Sequence, residues 1–222
     1  MKLSAILLLA GSGLRFGSSL PKQFQDLLGK KVYRYALDTL YSSGFFHEIL
    51  LVIQPEFTPY LDSHPECKII LGGSSRQKSV HLALNKCKNP THVLIHDGVR
   101  PFLTKELLQL HVDKLLAGFE NVNTCIPSSD TINVLNDGKI TSIPPRSDFL
   151  RGQTPQSFSY KKLLQAHQET AKEYTDDCSL MLDAAHDLSY VSGNESNIKI
   201  TSSLDLEIAK TITSLCACKV FN

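Results

Sequence analysis

Two rhythms of apolar positions alternate through the first half of this chain. Short, nearly continuous apolar runs predict buried strands at Leu3 to Leu9, Ile49 to Ile53, Lys68 to Leu71, His92 to His96 and Asn123 to Ile126. Between them the apolar residues recur at helical spacing. Val32, Tyr33, Ala36, Leu37, Leu40 and Tyr41 predict one helix, and Leu107, Leu108, Val112, Leu115 and Leu116 another, with Thr104 placed to cap it. Strands that do not alternate with polar residues belong in a sheet buried on both faces, so the pattern predicts an α/β fold with a mostly parallel sheet covered by helices on each side.

The rhythm breaks at Ser128. Thr131 to Ile143 reads as a β-hairpin turning at Asn136-Asp137-Gly138, and it is too polar for a central pair, so it is expected to project from the sheet. A projecting hairpin covers a site or embraces a second subunit, and the second role favours a dimer. Beyond Pro144-Pro145 the pattern predicts a helix near Ser159 to Thr170, short strands at Leu188 to Val191 and Ile198 to Ile200, and a final helix with Leu204, Ile208, Ile212 and Leu215 on one face. The expectation is one domain over residues 1–222, with an arm at about 130–146.

Composition narrows the function. A net charge of +1 over 222 residues argues against a nucleic-acid or acidic-membrane binder, and no apolar run reaches the ~18 residues that cross a bilayer. Met1 to Ala10 can be read as a short secretory signal or as a buried first strand. Six cysteines without framework spacing favour the second reading and a cytoplasmic protein with reduced thiols. No CxxC pair or HExxH argues for a zinc site.

In an open α/β sheet, ligands bind beyond the carboxyl ends of the strands, and the unusual residues cluster there. After the first strand comes Ala10-Gly11-Ser12-Gly13-Leu14-Arg15-Phe16-Gly17, continuing to Pro21-Lys22-Gln23. Its glycines let backbone N–H groups approach an anion, and Arg15 and Lys22 add positive charge, which suits phosphate. It lacks the Gly-Lys-Ser/Thr of a P-loop, and Phe16 breaks a dinucleotide GxGxxG. After the third strand, Gly72-Gly73-Ser74-Ser75-Arg76-Gln77-Lys78-Ser79 permits close approach of a flat ring, with Ser79 able to hydrogen-bond, or is simply a turn before a capped helix. After the fourth, Asp97 in His96-Asp97-Gly98-Val99-Arg100 suits Mg²⁺, although Asp-Gly is also an ordinary turn dipeptide. Arg146, Thr154-Pro155-Gln156, Thr175-Asp176-Asp177 and Asn197 to Thr201 complete the set, with Lys199 a conspicuous ammonium between Ile198 and Ile200.

Taken together, AGSGLRFG, PKQF, GGSSRQKS, HDGVRPF, TPQSF, YTDDCS and NIKIT resemble the 2-C-methyl-D-erythritol 4-phosphate cytidylyltransferases of the non-mevalonate isoprenoid route, from Ala5 to about Lys210. The resemblance implies a Rossmann-like domain, a homodimer with interlocking hairpin arms, CTP as substrate and Mg²⁺. By position, Ala10, Gly11 and Gly13 match the triphosphate loop, Arg15 and Lys22 its catalytic cations, and Gly72, Gly73 and Ser79 the cytidine pocket. Asp97 matches the metal-side carboxylate, and Arg100, Thr131, Arg146, Thr154, Thr175 and Lys199 match residues that reach the acceptor, some from the partner's arm.

The chain departs from the family pattern at Leu9, Lys78, Gly98-Val99, Leu182, Ala185 and Ser196. The implied reaction is in-line attack of the acceptor's phosphate oxygen on the α-phosphorus of CTP, with pyrophosphate leaving. The rival readings are a cytidylyltransferase for another polyol phosphate such as ribitol 5-phosphate, a nicotinamide oxidoreductase, and a catalytically silent nucleotide binder.

Overall fold

The computed structural model describes residues 1–11, 20–63 and 67–219. In chain order the elements begin with β1 (Leu3–Leu8), a short ribbon of β2 (Asp26–Leu27) and β3 (Lys30–Lys31), α1 (Val32–Ser43), β4 (Glu48–Ile53), β5 (Cys67–Leu71), α2 (Arg76–Leu84), β6 (His92–Asp97) and α3 (Lys105–Leu116). They continue with β7 (Asn121–Pro127), the hairpin β8 (Val134–Asn136) and β9 (Lys139–Ser142), β10 (Leu150–Ser159), α4 (Tyr160–Glu169), α5 (Asp177–Asp183), β11 (Ser189–Ser192) and α6 (Ser203–Lys219).

Seven strands form one sheet in the order β11-β7-β10-β6-β1-β4-β5. All neighbours are parallel except β10, which runs antiparallel between β6 and β7. The alternation of side chains sends Ala5, Leu7, Leu51 and Leu94 to one face under α1 and α3, and Ile6, Leu50, Val52, Val93 and Ile95 to the other under α2, α4 and α5. Both faces are therefore dry, as the continuous apolar runs predict. Thr104 caps α3 as expected, its side chain accepting the N–H of Leu107.

Three features differ from or add to the sequence reading. First, β10 reads in sequence as a polar stretch broken by Pro155, yet Gln153 to Phe158 are buried in the sheet. Pro155 fits there because the pairing with β7 shifts register between Gln153 and Ser157, where no ladder bond is asked of it; the Thr154-Pro155 peptide is cis. The buried polar side chains find partners, such as Ser157 Oγ with His111 Nδ1 at 2.8 Å and Gln156 Nε2 with Asn123 Oδ1 at 3.1 Å. Second, Ile198 to Ile200 is not a strand; the segment is irregular and tied to the sheet by the bond from Ile200 N to Val99 O, 2.9 Å. Third, the apolar stripe of α6 points away from this chain, with Leu204 67% and Leu215 60% exposed, while Leu206 and Ala209 pack on Leu27 and Val32. The hairpin β8–β9 forms its own two-stranded sheet, with Leu135 opposite Ile140 and both largely exposed.

Candidate active site

The carboxyl ends of β1, β4, β5 and β6 open into a cavity of about 430 Å³ lined by Ala10, Gly11, Lys22, Gly73, Ser79, Asp97 and Lys199, among others. A second cavity of about 330 Å³ lies on the β10 side, walled by Arg100, Thr154, Thr175 and Leu182. Arg76, Asp97 and Lys199 line both, so the two spaces meet at these three side chains. Arg15 and Gly13 lie outside the described residues.

The first cavity's walls are fixed by hydrogen bonds to the loops. Gln23 Nε2 donates to the carbonyls of Leu9 (2.6 Å) and Gly11 (3.0 Å), pinning the loop after β1. Gln54 Nε2 donates to Gly73 O at 2.8 Å, while Ser79 Oγ accepts from Gly73 N at 3.1 Å and donates to Ser75 O at 2.8 Å. Glycine is required in this turn by contact. A Cβ on Gly72 would lie 2.7 Å from Ala10 Cβ, and one on Gly73 would lie 2.6 Å from Lys78 Cβ. Two of the departures from the family pattern explain each other in the same way. A Cβ on Gly98 would lie 2.1 Å from Leu9 Cδ2, so the larger residue at 9 goes with the missing side chain at 98.

A chain of alternating charges crosses the junction. Lys199 Nζ stands 2.8 Å from Asp97 Oδ2, and Arg76 Nε stands 3.7 Å from Asp97 Oδ1. Arg76 Nη1 then meets Asp177 Oδ2 at 2.6 Å, and Asp177 Oδ1 meets His167 Nε2 at 3.1 Å. Burial by itself would raise the pKa of Asp97, but Arg76, then Lys199 and Arg100, override it and hold the carboxyl well below the usual range. Burial is likewise outweighed at Asp177 by Arg76 and His167, so that pKa is lowered too. Burial opposes the charge on Arg76, but Asp177 and Asp97 overcome it and raise its pKa. The Lys199 ammonium is thus paired as well as reaching solvent.

Arg76, Gln23, Asp177, His96 and Asn197 are site residues that the motif reading did not single out for a role. Arg76 and Asp177 were inside quoted motifs, but a separation of 101 residues gives no spacing signal for a pair. Conversely, Thr131 and Arg146 line neither cavity; both are exposed, with Arg146 Nη1 donating to Ser129 O at 3.1 Å.

The comparisons agree with this geometry. The model of the 2-C-methyl-D-erythritol 4-phosphate cytidylyltransferase family matches residues 3–214. The chain belongs to that family. The enzyme of that name from Thermotoga neapolitana is 35% identical over 94% of this chain and 95% of its own. The solved structure of 4-diphosphocytidyl-2C-methyl-D-erythritol synthase from Anaerococcus prevotii superposes with a TM-score of 0.83 at 30% identity, covering 96% of this chain and 98% of that one. A bifunctional IspD/IspF enzyme from Paramagnetospirillum magneticum is 34% identical over 95% of this chain, which spans 56% of that relative's length. Family membership makes the chain a CTP-dependent nucleotidyltransferase, a cytidylyltransferase of the isoprenoid precursor route. Another polyol phosphate as acceptor is not favoured.

Proposed function

We propose that the two cavities hold the two substrates, CTP in the first and 2-C-methyl-D-erythritol 4-phosphate in the second, with their phosphates meeting at Asp97, Arg76 and Lys199. The observation that carries this reading is the shared wall: one carboxylate and two cations border both spaces. An acceptor phosphate oxygen there attacks the α-phosphorus of CTP, a new P–O bond forms, the bond from the α-phosphorus to the bridging oxygen breaks, and pyrophosphate leaves with that electron pair. No protein nucleophile is needed, because the acceptor phosphate is largely ionised at neutral pH. The protein instead positions two anions that repel each other.

Ala10, Gly11 and Gly13 would cradle the triphosphate, Gly72, Gly73 and Ser79 the cytidine, and Arg15 and Lys22 the charge developing on the α-phosphate and leaving group. Arg100, Thr175 and Lys199 border the acceptor space together with Thr154. Thr131 and Arg146, carried by the arm away from both cavities, would reach the acceptor of a second copy, which requires a homodimer. The exposed apolar Leu135, Ile140 and Ile143 on and beside the hairpin support that assembly. Residues 1–222 then form one nucleotidyltransferase domain with an arm, working in the cytoplasm.

Among the described residues no group of three or more His, Cys, Asp or Glu is gathered, which suits Mg²⁺ better than a caged metal. Asp97 fits that ion, since among the described residues its Oδ1 has only the long 3.7 Å contact to Arg76, and Asp97 borders the nucleotide cavity. Bound there with phosphate oxygens, Mg²⁺ would neutralise charge on the triphosphate. The reading is tested by ³¹P NMR of a mixture of the protein, CTP, Mg²⁺ and 2-C-methyl-D-erythritol 4-phosphate. The expected result is a coupled diphosphate product with equimolar pyrophosphate; release of inorganic phosphate, or no product, would overturn it.

A further inference from the structure

We propose that Thr154 serves the transfer as a positioning residue coupled to His96, holding Asp97 and Arg100 from behind, and not as a donor to the acceptor substrate. The inference rests on the cytidylyltransferase reading above and reassigns one of its residues.

His96 Nε2 lies 3.1 Å from Arg100 O, which can only accept, so Nε2 carries the ring proton. His96 is fully buried, and among the described residues its ring nitrogens meet a carbonyl and a hydroxyl, so in the neutral ring Nδ1 is the bare acceptor. Nδ1 lies 3.1 Å from Thr154 Oγ1, which must therefore be its donor. The same hydroxyl accepts the N–H of Asp97 at 3.1 Å. Its single proton is committed to His96, leaving nothing to donate to a phosphate.

The bonds close a circuit behind the reacting centre. Arg100 N donates to Asp97 O at 3.0 Å, Arg100 Nη1 to Asn197 O at 2.7 Å, and Asn197 Nδ2 to Thr154 O at 2.9 Å. Thr154, His96, Arg100 and Asn197 are all buried. Asn197 also begins the segment that carries Lys199, so the circuit sets the two ends of the Asp97–Lys199 pair from β6, β10 and the irregular segment at once. A carboxylate displaced by a fraction of an ångström would spoil the alignment of two repelling phosphates.

The test is steady-state kinetics with CTP and 2-C-methyl-D-erythritol 4-phosphate for Thr154→Val, His96→Gln and their double variant, with Thr154→Ser as the conservative rescue. The glutamine side chain keeps a donor for Arg100 O but offers Thr154 no ring nitrogen. The proposal expects each single change to lower kcat by about 10- to 100-fold with little change in acceptor KM, as supporting contacts behind a reacting group do. It expects the double variant to be no worse than Thr154→Val, which already breaks the bond to His96 as well as the one from Asp97 N, and Thr154→Ser to keep most of the rate. A Thr154→Val enzyme with raised acceptor KM, unchanged kcat and an effect additive with His96→Gln would overturn it.

A measurement on the wild-type chain stands apart from folding of the variants and from activity. ¹H–¹⁵N NMR of the imidazoles at pH 7 should show His96 as the Nε2–H tautomer. The Nδ1–H tautomer would overturn the proposal. A wild-type chain that releases no pyrophosphate would instead refute the cytidylyltransferase reading, with the tautomer still deciding the circuit.

Discussion

Replacing Arg76 by Met separates the energetic role of the charge chain from its catalytic one. The guanidinium serves two buried carboxylates, Asp177 at 1% and Asp97 at 8% exposure. Methionine keeps most of the side chain's hydrocarbon contact but leaves Asp177, among the described residues, with His167 as its charged partner, so the loss should approach the ~3 to 5 kcal/mol of a broken buried pair. For a chain of this size that is a fall in Tm of about 6 to 20 °C. Lys199→Met removes a closer partner of Asp97, yet that lysine's side chain is 42% exposed. Its stability cost should stay below about 1 kcal/mol, while its effect on acceptor use should be large. Urea or thermal melts at pH 7 decide the matter.

The pH dependence follows with its sign. Both carboxyls have folded-state pKa values below the unfolded ones, so their contribution is full above about pH 4 and is lost as pH falls through the folded values. In Arg76→Met that depression is reduced, and the gap between the two proteins should narrow in acid. An Arg76→Met protein within about 1 kcal/mol of wild type, or one less perturbed than Lys199→Met, would refute the reasoning.

The further predictions concern separate parts of the molecule. Lys22→Ala should lower kcat by about 10² to 10³ in a pyrophosphate-release assay, as loss of a transition-state donor does, and unchanged turnover would remove Lys22 from the chemistry. Gly98→Ala should destabilise the chain by its 2.1 Å clash with Leu9, and Leu9→Ala should relieve it; additive costs in thermal melts would deny the coupling. Ala185 sits at φ 57, so Ala185→Gly should raise stability by up to about 1 kcal/mol, and a lower Tm would show that the site tolerates alanine without strain. Ile140→Asp on the arm should convert the proposed homodimer into a monomer in sedimentation, with loss of activity if Thr131 and Arg146 act across the interface.

What could be read from sequence divides along physical lines. Strands β1, β4 and β6 were legible because both their faces are largely apolar, and α3 because its stripe and cap agree. β10 was hidden because the side chains of Gln153, Thr154, Gln156 and Ser157 each find a hydrogen-bond partner distant in sequence. The outward stripe of α6 shows that a helical pattern identifies an apolar face without saying what covers it. In the site, the glycine turns and the carboxylate at the end of β6 were legible as local chemistry. Arg76, Asp177 and His96 gain their roles only through contacts made by folding, such as the buried polar triangle of His96, Thr154 and Asp97.

The measurement that bears most directly on the central claim is the rate of pyrophosphate release from CTP and Mg²⁺ with 2-C-methyl-D-erythritol 4-phosphate and, separately, with ribitol 5-phosphate. Saturable release with the first acceptor and background release with the second is the predicted result. Release with ribitol 5-phosphate alone would keep the nucleotide site and contradict the assigned acceptor, and release with neither would contradict the account of the site as a cytidylyltransferase centre.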